Sequence, residues 1–347
     1  MQNSDKRNIR DLNLSQLQAE IPNQPSFRAN QIYDWLWKKG VKDFNQMTNL
    51  SKALREELNQ KYIIHAISAN QIQKSNDGTI KNRVKLHDYN IVESVLIPTS
   101  KRITACVSSQ VGCSLDCKFC ATASLKRMRN LNVDEIIDQV QLINAQGLEF
   151  YNKPLSNIVF MGMGEPMLNY KNVLKSIDII TSDKGLAMSP RRITLSTSGI
   201  PKMIEKLGED KSKVKLALSL HSAIEEKRNK IMPFSQKFPL VELKASLKKY
   251  YQQTKSIITI EYIIWKGIND KEQDIDALVK FCNAVPSKVN IIEYNAIDGG
   301  DFLQADIAVI DSYVRKLEAA KIVARVRRSR GKDIDAACGQ LANKELI

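Results

Sequence analysis

Short runs rich in isoleucine, valine and leucine recur along the chain at 102–107, 157–162, 192–197, 214–220, 257–264, 288–294 and 322–328, and segments of helical length separate most of them. In "NVDEIIDQVQLINAQG", Ile136, Val140 and Ile143 fall on one helix face, with Asn132 expected to cap the start and Gly147 the end. "NYKNVLKSIDIITSDKG" repeats the scheme through Val173, Ile177 and Ile180. Strands alternating with helices predict parallel β-α units, and six or so such units predict a barrel or partial barrel. No G-x-G-x-x-G follows a strand, so a flat dinucleotide fold is not indicated.

Upstream the period changes. Residues 1 to about 62 read as helical: "SFRANQIYDWLWKKG" runs from a capping Ser26 to Gly40, and "SKALREELNQKY" starts at Ser51. Short alternating runs around Asp77-Gly78 then signal a hairpin. The expected organisation is a small helical accessory domain over 1–65, a β extension over 66–98 and a core domain over 99–347.

The hydrophobic share of 43% supports a buried core. No run approaches the roughly 20 apolar residues of a membrane span, and "MQNSDKRNIR" has no apolar stretch after its charges, so a cytoplasmic protein is expected. With 52 basic and 38 acidic residues the formal net charge is +14, which suits a polyanion binder. The charge is clustered: "KIVARVRRSRGK", 321–332, holds six basic residues and no acid, and "LKRMR", 125–129, holds three. Nucleic acid is the expected partner, and charge alone does not separate RNA from DNA.

Three of the six cysteines, Cys113, Cys117 and Cys120, form C-x3-C-x2-C, which suggests ligands rather than a disulfide framework. Four thiolates would close the shell of a structural zinc or an iron–sulfur cluster; three leave a position open for chemistry. A zinc knuckle with a distant fourth ligand is the alternative. In a barrel, reactive groups gather at the C-terminal ends of the strands. The cysteines follow the first strand, "GMGEP" (162–166) the second, "STSG" (196–199) ends the third, "SLHS" (219–222) the fourth and Asn295 the sixth, while Cys338 follows the last. All fall at one rim. Cys282, inside "DALVKFCNAV", reads as a small buried apolar residue.

C-x3-C-x2-C after the first strand with Gly-Glu after the second resembles the radical S-adenosylmethionine (SAM) superfamily. "ACVSSQVGCSLDCKFCATA", "VFMGMGEPMLNY", "RRITLSTSGI", "SLHS" and "DIDAACGQL" resemble, over nearly the whole chain, its family of dual-specificity adenine-C2 RNA methyltransferases. "EYNAIDGGDF" lacks the prolines expected after Asn295. The resemblance implies an α/β fold, a partial (β/α)6 barrel with the helical accessory domain and β extension attached. It implies a 4Fe–4S cluster on Cys113, Cys117 and Cys120, and two SAM molecules per turnover. Gly164 and Glu165 would meet the SAM amino group, and Ser196, Ser219, Leu220, His221 and Asn295 its ribose, carboxylate and adenine. Cys338 would carry the methyl group, Cys106 would resolve the protein–RNA intermediate through a transient disulfide, and Glu93 would accept the C2 proton. The implied partners are 23S ribosomal RNA, transfer RNA at adenine 37, and an electron donor of the flavodoxin or ferredoxin type, with the enzyme a monomer. The rivals are a C8-adenine methyltransferase conferring antibiotic resistance, a zinc-bound RNA-binding protein and a glycyl-radical activase.

Overall fold

The computed structural model describes residues 6–344. The helical reading of residues 1–5 lies outside the described residues. Downstream, β1 (Arg7–Asn8) pairs in parallel with β2 (Tyr62–Ile63) and closes a small unit holding α1 (Leu14–Glu20), α2 (Phe27–Trp37) and α3 (Lys52–Lys61). Ser51 caps α3 by accepting from Leu54 N, whereas Ser26 is helical itself and makes no side-chain cap. Buried Arg10 and Asn8 fasten this unit to the barrel through Asp138 and Asp134, each at 2.7 Å.

One ten-stranded sheet forms the rest. β3 (Ser68–Lys74), β4 (Ile80–Lys85) and β5 (Ile91–Pro98) are antiparallel, and β5 pairs with β6 (Ile103–Cys106), so the expected β extension continues the barrel sheet. A small ladder of β7 (Gln110–Val111) and β8 (Arg129–Asn130) brackets the cysteine loop. Beyond it run α4 (Val133–Tyr151), β9 (Leu155–Phe160), α5 (Tyr170–Thr181), β10 (Ile193–Thr197), α6 (Pro201–Glu209) and β11 (Lys215–Ser219). They are followed by α7 (Glu225–Ile231), α8 (Leu240–Thr254), β12 (Ile258–Ile263), α9 (Glu272–Ala284), β13 (Ser287–Ile292), α10 (Ile307–Ala319) and β14 (Ala324–Arg327). β6 and β9 to β14 are all parallel. The arrangement is six β-α units and a closing strand, a partial (β/α)6 barrel. Among the described residues no helix is long and apolar enough to cross a membrane.

α4 runs four residues past the expected stop at Gly147, to Tyr151, and is capped by Asn152, whose left-handed φ of 48° turns its N–H to the carbonyls of Gly147 and Leu148. The start is as expected, with Glu135 accepting from Asn132 N at 2.8 Å.

Alternation sorts the strands. Ile193 and Leu195 of β10 are fully buried in the apolar layer, while Thr194 and Ser196 take the other face. That inner face is polar along the barrel, with Ser219, Glu261 and Asn290 on successive strands. β14 and β3 are the two edges of the sheet, and the chain after β14 links them. Gly331 N donates to Asp77, Asn76 N to Asp333, and Ala342 N and Asn343 N to Glu93. This strap carries Cys338.

Candidate active site at the barrel rim

The cysteine loop folds back on itself because Gly112, at φ +72°, sits where a Cβ would come within 2.3 Å of the Lys126 carbonyl oxygen. Cys113 N donates to Leu125 O, and Leu115 N points at the Cys113 sulfur at 3.4 Å. The loop is tied to the strap: Ala121 N donates to Gly339 O at 2.7 Å and Thr122 Oγ1 to Leu341 O at 2.6 Å. Two segments more than 200 residues apart therefore share one wall of a cavity of about 150 Å³.

Cys113, Cys117, Cys120, Gly164, Glu165, Ser196, Ser219, His221 and Cys338 line this cavity. Burial pushes the Cys113 thiol up to about 11 and raises those of Cys117 and Cys120, so the bare thiols are protonated and a bound cation is what would ionise them. Among the described residues, the set of metal-ligand types with donor atoms all within 4.8 Å of one another is His87, Asp88 and Glu135. The Arg129 guanidinium already fills that set, at 2.6 Å from Asp88 and 2.7 Å from Glu135. The three cysteine sulfurs do not all lie within 4.8 Å of one another, whereas zinc bonds of about 2.3 Å set tetrahedral thiolates only about 3.8 Å apart. Three separated thiols on one loop fit the corners of an iron–sulfur cluster with one position open.

Gly164 adopts φ +92°, and a Cβ there would meet the Gln110 side chain at 2.5 Å. The turn places buried Glu165 at the cavity, where Oε1 accepts from Met167 N at 3.0 Å and Oε2 from Ser198 N at 2.8 Å. Burial raises its pKa and those N–H groups oppose the rise. His221 Nδ1 accepts from Ile263 N at 3.2 Å, which leaves Nε2 as the other ring position. Burial lowers its pKa to about 3, so the imidazole is neutral at physiological pH.

Four expected residues lie off the cavity wall. Leu220 is fully buried and donates its N–H to Glu261 O. Asn295 donates to the Cys338 carbonyl at 3.2 Å and so touches the strap. Glu93 is 1% exposed beneath the strap, with Lys81 Nζ 3.6 Å from Oε1. Cys106 is buried; burial first and the Cys338 charge second push its thiol up to about 12, and Arg327 opposes them. The two thiols thus lie within electrostatic reach of one another. Cys282 is buried as expected.

Sequence reading missed two inward residues, Glu261 and Arg327. Glu261 lines the cavity and accepts from Asn290 Nδ2 at 3.0 Å. Arg327 had been grouped with the basic stretch, yet it turns inward, with Nη1 3.9 Å from the Met161 sulfur. Of its neighbours, Arg328 pairs with Glu293 at 3.1 Å and Arg330 lies 3.9 Å from Asp77. Arg327 is the last residue of β14, whereas Arg328 and Arg330 lie beyond the end of the strand.

A family model described as the ribosomal RNA large subunit methyltransferase N-terminal domain matches residues 7–64, and the radical SAM superfamily model matches residues 107–281. The probable dual-specificity RNA methyltransferase RlmN of Flavobacterium psychrophilum is 60% identical over 344 residues, covering 99% of each chain. The dual-specificity RNA methyltransferase RlmN of Geotalea uraniireducens is 42% identical and covers 98% of each. The crystal structure of a radical SAM methyltransferase from Sphaerobacter thermophilus superposes with a TM-score of 0.92 at 34% identity, over 97% of this chain and 100% of that one.

Proposed function

The chain belongs to the RlmN family of radical SAM RNA methyltransferases, and from that premise we propose that it methylates C2 of an adenine in 23S ribosomal RNA and adenine 37 of transfer RNAs. Cys338 carries the methyl group. The observation that supports this reading most is the convergence of Cys106, from the first parallel strand, and Cys338, from the strap, beside the three-cysteine loop.

Adenine C2–H is neither acidic nor nucleophilic enough for polar methylation. Cys113, Cys117 and Cys120 would hold the cluster, and Gly164, Glu165, Ser196, Ser219, Leu220, His221 and Asn295 would hold SAM; together these groups would supply the methyl group and one-electron chemistry. The protein's own steps are polar. Cys338 presents the methyl as a thioether and holds the RNA through its sulfur once the carbon has joined C2. Glu93 receives the C2 proton; its Oε2 accepts from the N–H groups of Ala342 and Asn343, and its Oε1 lies 3.6 Å from Lys81 Nζ. Cys106, a protonated thiol in its buried site, then attacks the Cys338 sulfur as it gives up its proton. An S–S bond forms, the sulfur–carbon bond breaks with its electron pair left on the methylene carbon, that proton completes the methyl group, and methylated RNA leaves. Two electrons and two protons return the disulfide to two thiols, and an external donor of the flavodoxin or ferredoxin type would supply the electrons the enzyme needs. We take the enzyme to work as a cytoplasmic monomer.

The test is the different failure of the two thiol variants. Cys338→Ala should give neither product nor adduct. Cys106→Ala should accumulate RNA tethered through Cys338, a nuclease-sensitive shifted band on a denaturing gel. An active, cluster-loaded Cys106→Ala protein without adduct would refute the assignment. The C8 alternative is not favoured, since the relatives described carry the RlmN name; mass spectrometry of the product nucleoside separates the two.

A further inference from the structure

A second cavity, of about 330 Å³, lies away from the cysteine loop, between the N-terminal unit and α5. Its volume is at the lower end of the range of small-ligand pockets, about 300–1,000 Å³. Arg10, Tyr33 and Trp37 form one wall, and Lys175, Asp178 and Lys184 the other. Its unmet polar groups are donors. Trp37 Nε1 and Arg10 Nε are buried without a hydrogen-bond partner, which is costly unless a ligand or water serves them. The Arg10 charge is already met by Asp138, and its guanidinium lies 5.4 Å from the Trp37 ring. Tyr33 packs at 6.0 Å from the same ring. Lys184 Nζ reaches only the neutral Asn30 Oδ1, and Lys175 makes no ion pair among the described residues. Asp178 is the single acid on the walls named, against the two lysines. The balance is cationic beside an aromatic face, the combination that holds a phosphate and its base.

We propose that this cleft binds one nucleotide of the RNA other than the methylated adenine, its phosphate on Lys175 and Lys184 and its base against Tyr33. The proposal rests on the RNA substrate proposed above and adds a contact that the barrel rim does not provide.

The test uses the reconstituted full-length enzyme, unmodified RNA and fluorescence anisotropy over a salt series, with adenosine monophosphate titrated in parallel. Lys175→Glu should weaken RNA binding on the order of tenfold and lower the slope of log affinity against log salt by about 0.7. Tyr33→Ala should cost at least about fivefold, and Tyr33→Phe, which keeps the ring, should cost little. SAM cleavage without RNA should be unchanged in Lys175→Glu. Unchanged RNA affinity and slope in both Lys175→Glu and Tyr33→Ala would overturn the proposal. Loss of adenosine monophosphate binding with RNA binding intact would overturn it in favour of a free nucleotide. If the variants weaken RNA binding but the wild-type enzyme methylates no C2, the cleft stands and the proposed reaction falls.

Discussion

Removing the Glu93 carboxylate should release the strap that carries Cys338. Oε2 accepts from Ala342 N at 2.9 Å and Asn343 N at 3.2 Å, and Oε1 faces Lys81, whose side chain is 5% exposed. Hydrogen bonds to a charged group contribute about 1.5–3 kcal/mol each, and a buried charge deprived of its partner costs about 3–5 kcal/mol. For Glu93→Ala these two figures describe the loss of the same buried carboxylate and so overlap rather than add, and the Lys81 bond to Asp335 O at 3.4 Å offsets part of it. A net loss of about 3–5 kcal/mol in strap stability is therefore expected, and at about 1.4 kcal/mol per factor of ten it raises local opening roughly 10²–10⁴-fold. Glu93→Gln also leaves Lys81 without its counter-charge but keeps an oxygen for the two N–H groups, so it should open the strap less. The assay is hydrogen exchange over residues 336–343 with alkylation of Cys338, compared with a global melt, since a strap can open locally. Equal protection in wild type and Glu93→Ala would refute the argument, as would Glu93→Gln opening as much as Glu93→Ala.

Replacing any of Cys113, Cys117 or Cys120 by Ala should abolish iron–sulfur absorption and SAM cleavage while RNA affinity survives, measured after anaerobic reconstitution. His221 should make the fold acid-sensitive. Its folded pKa of about 3 lies below the ordinary value near 6.5, so the unfolded chain takes the proton first. The stability is fully present above about pH 6.5 and is lost as pH falls towards 3, by about 1.4 kcal/mol per unit. Denaturant melts of His221→Gln should lose that slope. Arg10→Ala breaks a pair whose side chains are 1% and 7% exposed; it should loosen the N-terminal unit by about 3–5 kcal/mol, seen as early proteolysis there with the barrel intact.

The chain's own periodicity determined the barrel. Every strand run from 102 to 328 appears within three residues of its expected ends, because alternation and β-branched content act locally and each β-α unit buries its apolar face against its neighbours. The C-x3-C-x2-C loop and the Gly-Glu turn were equally legible, since spacing within one loop limits which atoms can meet.

Long closures were not legible. Residues 328–344 contain one short 3-10 turn and no helix or strand, so the strap has no period to read. Its place is set by partners such as Thr122 and Glu93, 219 and 249 positions away in sequence. That closure decided that Asn295 holds the strap's backbone and that Glu93 anchors it. The stop of α4 at Tyr151 rather than Gly147 was decided similarly, by the Leu155 strand entry and the Lys153 contact that follow it. Local pattern gave each side chain its face. Only the assembled sheet, by bringing its two edges to one strap, determined which faces look at each other, and so turned Arg327 from an expected RNA contact into a neighbour of the Cys106 and Cys338 thiols.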